Sequence, residues 1–428
     1  MGDTSWFGAA RFGMFIHWGH VSQQGLELSW PMAGGVGVLP FSHPVPVAEY
    51  QSSAATFAPD PHAPVAWARL AREAGMQYAV FTSRHHDGYS MWPSRVSDFH
   101  AEADLVGAYV DAFRAEGLRV GLYHSLSDWH HPDYPALTDE DRPYTFSPRR
   151  SPAEAWARYL DYLFAQVTEL LTDYGPIDVL WFDGGWERSA EEWRSLELRE
   201  LIRSLQPDCL VNERLPGAGD FDTPEQFVPA TPPRRPWETC LTMNSTWGWC
   251  PEDTGYKSSR ELVHTLCEVA SRGGNLLLNV SPRGDGSLPP DQVERVRDVA
   301  GWMDRYGRSI LGTTPGLEPW QHYGPSTSVG ADDGGTVHHL HLLARPYDAV
   351  TVRGLPIRRV RAVTDVATGD ALAFRTRCTV MDELFNWDPS GEVIIDVTGA
   401  VIDDRASVLA VEVAPEGSVQ EPPLGLRT

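Results

Sequence analysis

The segment Val179-Leu180-Trp181-Phe182-Asp183-Gly184-Gly185-Trp186 joins an apolar, strand-like run directly to a carboxylate and two glycines. Burying a carboxylate at the end of a strand is costly unless hydrogen bonds or a cation satisfy it. Tryptophans on both sides of the carboxylate indicate the lining of a pocket, so Asp183 is a candidate functional residue. The alternative is that Asp183 caps the turn that follows it, as Asp before Gly often does.

Apolar runs that end in polar residues recur along the first three quarters of the chain. They alternate with helix-period segments up to about residue 305, which predicts repeated βα units and a parallel sheet. The predicted strands are 12–17, 78–82, 120–124, 179–182, 209–212, 237–242 and 275–280. The loops at the strand ends of a barrel meet at one mouth, and the unusual polar residues lie at these ends. We therefore predict a (β/α)₈-like TIM barrel with one irregular or missing unit.

A change of pattern after Pro315 predicts a second domain. The helix period disappears, and short alternating segments such as 337–343 and 408–413 follow, separated by Gly, Pro and Asp. This pattern favours an antiparallel β-sandwich. The prediction is an α/β protein with a catalytic barrel over residues 1–314 and a C-terminal β-sandwich over 315–428. The Pro- and Arg-rich stretches 132–153 and 214–236 are predicted to be loops over the barrel mouth.

Composition limits the classes of partner. A chain of 428 residues with 42% apolar residues can fill both cores, and its 16 tryptophans fit either a sugar-binding cleft or the core of a large barrel. The formal charge of −23 would repel phosphate backbones and anionic lipid, so nucleic acid and membranes are not expected partners. The five scattered cysteines indicate neither a disulfide framework nor a zinc site. We expect a cytoplasmic protein, or a secreted one whose leader is missing from this sequence, with homo-oligomerisation left open.

A second polar segment, Arg84-His85-His86-Asp87, follows the strand at 78–82. Adjacent side chains of an extended chain point to opposite sides, so at most one of the two histidines faces the barrel interior unless the strand bends. These residues, with His17, His130 and His131, could bind a metal, but the usual HExxH or HxH spacing is absent. The favoured interpretation is hydrogen bonding to substrate hydroxyls, with no metal.

Eight segments resemble, in the same order, motifs of the α-L-fucosidases of glycoside hydrolase family 29. They are 11–19, 84–92, 121–125, 128–132, 181–183, 237–240, 245–249 and 273–280. The resemblance implies a retaining exo-glycosidase that hydrolyses terminal α-L-fucosyl residues of glycans or glycosides and needs no cofactor. Two alternatives stay open: a related enzyme acting on another deoxysugar or a galactoside, and a catalytically silent sugar-binding relative.

The same resemblance implies roles for individual residues. Asp183 would be the nucleophile and Glu225 the acid/base, with Glu238 as the rival for the second role. The implied substrate contacts are His17, Trp30, His85, His86, Trp181, Arg214 and Trp247, together with either Tyr123 or His124.

The chain departs from the family pattern at one position. Many family members have Glu-Trp-Tyr where this chain has Ser29-Trp30-Pro31. Glu27 lies on the same side of an extended chain as Ser29, so we predict that it replaces the missing glutamate as a substrate contact.

Overall fold

The computed structural model describes residues 5–34, 39–144, 146 and 149–419. Contacts divide the chain into two compact units, one formed by residues 1–257 and 276–297, the other by 258–275 and 298–428. The division predicted between residues 314 and 315 stays a prediction.

A twisted sheet forms the centre of the first unit. Its strands are β1 (Phe12–Ile16), β2 (Tyr78–Arg84), β3 (Arg119–Ser125), β4 (Val179–Asp183), β5 (Leu210–Val211), β6 (Glu238–Leu241) and β7 (Asn275–Val280). They are hydrogen-bonded in the order β5-β4-β3-β2-β1-β7-β6, and the ladders from β5 to β7 are parallel. Nearly every residue of these strands is buried, as expected of parallel strands covered on both faces. The predicted strand limits agree with the observed ones to within two residues.

Helices separate these strands along the chain. Their bounds are α1 (Ser5–Ala10), α2 (Val47–Ser52), α3 (Ala63–Glu73), α4 (Leu105–Ala115), α5 (Ala153–Thr172), α6 (Ser195–Leu205), α7 (Ser259–Ser271) and α8 (Pro290–Tyr306). Two of them begin at side-chain caps: Asp104 accepts the amide hydrogen of Gly107, and Ser258 accepts that of Glu261. The βα alternation and the TIM-like fold class are confirmed.

An irregular segment, residues 221–225, lies between the two outer strands β5 and β6. Phe221 forms a parallel bridge with Asn212 after β5, Asp222 forms one with Trp237, and Glu225 forms one with Cys240 of β6. The segment thus takes the place of an eighth strand, the irregular unit that the sequence predicted. It lies within the stretch 214–236, which was predicted as a loop, and Pro224 interrupts the strand pattern there.

The second unit contains an antiparallel β-sandwich. Its strands are β8 (Thr314–Pro315), β9 (Ser326–Gly330), β10 (Thr336–Leu342), β11 (Ala349–Pro356), β12 (Val360–Asp365), β13 (Phe374–Arg377), β14 (Ser390–Asp396) and β15 (Ser407–Val413), with a short helix α9 (Val380–Phe385) before β14. They form sheets of order β12-β15-β10-β9-β8 and β11-β14-β13. Leu340, Val352 and Ile395 belong to one apolar core that takes residues from both sheets. The predicted β-sandwich is confirmed.

Candidate active site

A cavity of about 210 Å³ opens where the barrel strands end. Its lining combines an apolar wall with polar groups: Phe15, His17, Trp30, Leu39, His85, Tyr123, Phe146, Trp181, Asp183, Trp186, Arg214, Glu225 and Trp247. Most of the predicted site residues therefore lie together. The exceptions are Glu27, His86 and His124.

Asp183 is the last residue of β4, and its carboxylate is held on both oxygens. Tyr123 donates its hydroxyl hydrogen to Oδ2 over 2.9 Å, and Arg214 Nη1 donates to Oδ1 over 3.0 Å. Burial and the charge of Asp183 raise the pKa of Tyr123 well above its ordinary value, so the phenol stays protonated as a donor. These contacts favour a functional carboxylate over a turn cap.

The two glycines after Asp183 are required by close packing. Gly184 has a φ of 74°, and a Cβ on Gly184 would lie 2.3 Å from Ser127 Oγ. A Cβ on Gly185 would lie 2.2 Å from the carbonyl oxygen of Arg214. A larger residue at either position would push the chain away from the end of β4.

Arg214 connects the two candidate catalytic carboxylates. Its Nη2 donates to Glu225 Oε2 over 2.6 Å while Nη1 donates to Asp183, and the guanidinium carbon lies 4.6 Å from the centre of the Trp181 ring. Burial opposes its ionisation, but the charges of Asp183 and Glu225 raise the pKa of Arg214 well above its ordinary value. The Glu225 side chain is 37% exposed and that of Asp183 is 11% exposed, so Glu225 is the more exposed of the two.

Two histidines contribute uncharged polar groups to the cavity. His17 Nδ1 lies 2.7 Å from Asn279 Oδ1, and His85 Nδ1 lies 2.6 Å from Ser29 Oγ. Burial is the main cause that lowers the pKa of each imidazole to about 3, with a smaller contribution from a neighbouring histidine. Both rings are therefore neutral near pH 7. Ser29, at the position where the chain departs from the family pattern, orients His85.

Strand alternation decides between Tyr123 and His124. Tyr123 lines the cavity, whereas His124 points to the other side of β3, where its Nδ1 lies 3.1 Å from Ser83 Oγ. His124 is fully buried there. Of this pair only Tyr123 lines the cavity, so the predicted substrate contact stays a prediction for Tyr123, and the alternative at His124 does not agree with its position.

His86 lies behind the cavity wall, beside Asp183. It is fully buried, and its Nε2 is 3.6 Å from Asp183 Oδ2. Burial lowers the pKa of His86 to about 3, so the ring is neutral. Its predicted role as a direct substrate contact stays a prediction, and the structure places the ring next to the carboxylate of Asp183.

Glu27 does not replace the missing family glutamate at the cavity. Its carboxylate is fully buried, and it accepts the main-chain amide hydrogens of Trp247 and Gly248, each over 2.7 Å. Both oxygens are thus occupied by the backbone of a cavity-lining segment. The prediction of a substrate contact was wrong, and Glu27 instead positions Trp247.

Burial raises the pKa of Glu27 to about 8, against the opposing effect of these two amide donors. The folded protein therefore holds this proton up to about pH 8, whereas the unfolded chain releases it near pH 4.5. The stabilisation from this protonation is complete below pH 4.5 and is lost as the pH rises through 8. We expect Glu27→Gln, which cannot ionise, to gain roughly 3 kcal/mol relative to wild type between pH 5 and 8. Urea unfolding of both proteins at both pH values measures this difference, and a difference that does not change with pH would contradict it.

Glu238, the rival acid/base, lies inside the barrel and not on the cavity. It is fully buried on β6, accepts the indole hydrogen of Trp181 over 2.8 Å and also accepts a hydrogen bond from the hydroxyl of Tyr78. Burial raises the pKa of Glu238 to about 7. Its contacts are those of a residue that fixes the orientation of Trp181.

Four cavity residues were not among the predicted site residues. Phe15 lies two residues before His17 on β1, so strand alternation could have revealed it. Trp186 follows the Asp-Gly-Gly sequence, and the tryptophans on both sides of Asp183 had already indicated a pocket. Leu39 and Phe146 lie outside the helices and strands and carry no periodic signal.

Two of the histidines considered as metal ligands, His130 and His131, pack against aromatic rings and do not line the cavity. His130 stacks on Phe99 at 4.0 Å between ring centres, and His131 packs against Tyr162 at 4.3 Å. Among the described residues, no group of three or more His, Cys, Asp or Glu side chains is arranged to hold a metal ion. No helix within the described ranges 5–34, 39–144 and 149–419 is long and apolar enough to cross a membrane.

The sequence was compared with known families and structures. Residues 3–308 match the family model described as "Alpha-L-fucosidase". The chain belongs to the α-L-fucosidase family. It is a glycoside hydrolase of family 29, as the sequence motifs predicted.

Individual relatives agree with this assignment. The structure of α-L-fucosidase isoenzyme 1 from Paenibacillus thiaminolyticus is 34% identical, has a TM-score of 0.81 and covers 96% of this chain and 98% of its own. The α-L-fucosidase of Branchiostoma floridae is 32% identical over 339 residues, which are 73% of each chain. The fold also matches an α-L-fucosidase of Bacteroides thetaiotaomicron described as a trapped covalent intermediate, with 22% identity, a TM-score of 0.79 and 95% coverage of both chains.

Proposed function

We propose that this protein is a retaining exo-α-L-fucosidase in which Asp183 forms a covalent fucosyl-enzyme and Glu225 is the acid/base. The observation that carries this proposal is the single guanidinium of Arg214 bound to both carboxylates. Carboxyl groups of retaining glycosidases lie about 5 Å apart, whereas inverting enzymes keep them about 6.5–9.5 Å apart to admit a water. Sharing one guanidinium favours the closer spacing.

The reaction follows from these positions. An Asp183 oxygen attacks the anomeric carbon while the bond from that carbon to the leaving oxygen breaks, and Glu225 transfers its proton to this oxygen. A water then gives a proton to Glu225 and its oxygen attacks the anomeric carbon, which releases the sugar and restores the Asp183 carboxylate. Two displacements return the original configuration.

The two histidines of the cavity support this chemistry without adding positive charge near the sugar. The transition state has oxocarbenium character, so charged imidazoles beside the anomeric carbon would oppose it. His17 and His85 are neutral because burial lowers their pKa values to about 3, and they can hydrogen-bond hydroxyl groups. Phe15, Trp181 and Trp247 form an apolar wall suited to the C–H faces of a sugar.

The configuration of the first product tests the proposal. We expect hydrolysis of an aryl α-L-fucoside to release α-L-fucose first, with the β-anomer appearing only by slow mutarotation. Proton NMR of the anomeric signals during the first minutes measures this order, and the aryl β-L-fucoside is the control that should not be cleaved. Initial release of β-L-fucose would contradict a covalent intermediate.

A further inference from the structure

Asn279, at the carboxyl end of β7, is buried behind the cavity and contacts two of its lining residues. Its Nδ2 donates to the main-chain carbonyl oxygen of Trp247 over 2.8 Å, and its Oδ1 lies 2.7 Å from His17 Nδ1. A main-chain carbonyl can only accept, so the amide nitrogen must be the group that faces Trp247. The amide oxygen is then the group that faces His17.

This arrangement determines which nitrogen of His17 carries the proton. An amide oxygen can only accept, so Nδ1 of His17 must be the donor. A neutral imidazole has one N–H, and the ring is neutral because burial, with help from His85, lowers its pKa to about 3. Nε2, the other nitrogen of this cavity-lining ring, therefore presents a lone pair.

We propose that Asn279 is a positioning residue that holds His17 as a hydrogen-bond acceptor for one hydroxyl of the bound sugar. The inference rests on the proposed function, because it takes His17 as a contact of the fucosyl ring. Arg214 also lines the cavity but can only donate hydrogen bonds, so His17 supplies an acceptor that Arg214 cannot. The site would then select a sugar with a donating hydroxyl at this position over one with fluorine or hydrogen there.

The same amide also fixes the wall on which the sugar would rest. Both main-chain polar groups of Trp247 are held, since Asn279 donates to its carbonyl oxygen and Glu27 accepts its amide hydrogen. The Trp247 and His17 rings lie 4.9 Å apart. A single buried side chain therefore sets the protonation of one cavity residue and the place of another.

Asn279→Asp tests the proposal through the pH profile. A carboxylate facing His17 Nδ1 would raise the pKa of the imidazole, and His17 would then gain a proton on Nε2 as the pH falls. The titratable groups that interact with His17 are His85, His86, Asp183, Arg214 and Tyr123, and the substitution changes none of them. We expect the acidic limb of kcat/KM for an aryl α-L-fucoside to move up by at least about one pH unit.

The control for this profile is Asn244→Asp. Asn244 is also buried and lies on the segment that carries Trp247. Its Nδ2 donates to Thr246 Oγ1 over 3.2 Å, whereas Asn279 contacts His17 through Oδ1. Its acidic limb should coincide with that of wild type. A constant loss of kcat/KM at every pH in Asn279→Asp, or an equal shift in the control, would show a structural role only and would overturn the proposal.

Asn279→Ala provides a second readout should the Asp variant fail to fold. The 2-, 3- and 4-deoxy and deoxyfluoro aryl α-L-fucosides each lack one donating hydroxyl. In wild type, at the sugar position whose hydroxyl contacts His17, the deoxyfluoro analogue should react no faster than the deoxy analogue. In Asn279→Ala, the ratio of kcat/KM for the parent fucoside to kcat/KM for the deoxy analogue should fall at least about fivefold at that position alone. An equal fall of this ratio at all three positions would overturn the proposal. Failure of wild type to cleave the parent fucoside would instead overturn the proposed function.

Discussion

Asp183→Asn is expected to lower kcat on an aryl α-L-fucoside by at least about three orders of magnitude. An amide has nearly the same shape as the carboxylate but cannot attack the anomeric carbon. Tyr123 and Arg214 would still enclose the side chain, so the fold should persist. Steady-state kinetics measure the loss, and thermal unfolding confirms that the variant is folded. Retention of more than about a tenth of wild-type activity would show that Asp183 is not the nucleophile.

Asp128→Asn is the matched control for this variant. Asp128 is a buried carboxylate after β3 that pairs with Arg84 at 3.1 Å, but it does not line the cavity. Its replacement leaves a buried arginine without its counter-charge and should lower the free energy of unfolding by about 3 kcal/mol. It should change kcat less than about tenfold. Similar losses of kcat in the two variants would mean that any buried carboxylate at this end of the barrel matters equally.

Glu225→Ala is expected to affect poor leaving groups far more than good ones. A nitrophenolate departs without a proton, whereas a sugar alkoxide does not, so kcat/KM should fall at least about a hundredfold more for a fucosyl disaccharide than for the nitrophenyl fucoside. Azide should restore turnover, because it can attack the fucosyl-enzyme without base assistance. The product should be the α-L-fucosyl azide, of retained configuration.

Two variants give the contrasting results. In Asp183→Gly, azide would replace the missing nucleophile in a single displacement and give the β-L-fucosyl azide. Glu238→Ala would leave the Trp181 indole and the Tyr78 hydroxyl without their acceptor, so activity should fall by similar factors on both substrates, with no azide effect. If Glu238→Ala gave the azide product and Glu225→Ala did not, the acid/base would be Glu238 and the assignment to Glu225 would be wrong.

Local patterns were sufficient for most of the fold. The run Val179–Asp183 is apolar until its last residue, and any sequence with this pattern between two helix-period segments favours a buried parallel strand. The closing segment 221–225 could not be recognised in this way. It contains two acidic residues and a proline, and it joins the sheet through isolated bridges to Asn212, Trp237 and Cys240.

The candidate site likewise contains residues that the sequence could nominate and residues that needed the structure. Family motifs were sufficient to nominate Asp183, His17 and Arg214, because residue type and strand position carry that information. The pair Tyr123 and His124 needed the structure, since alternation shows that the two differ in side but not which side faces the cavity.

The sequence by itself determined the αβ alternation, the C-terminal β-sandwich and the identity of the nucleophile candidate, because these depend on neighbouring residues along one strand. Only the tertiary structure decided the contacts of Glu27 and Asn279. Glu27 has the right residue type and spacing for a sugar contact, yet the amides of Trp247 and Gly248, more than two hundred residues away, occupy both of its oxygens. A polar side chain binds whichever partner folding brings within about 3 Å, and the separation of the two along the chain does not reveal that partner.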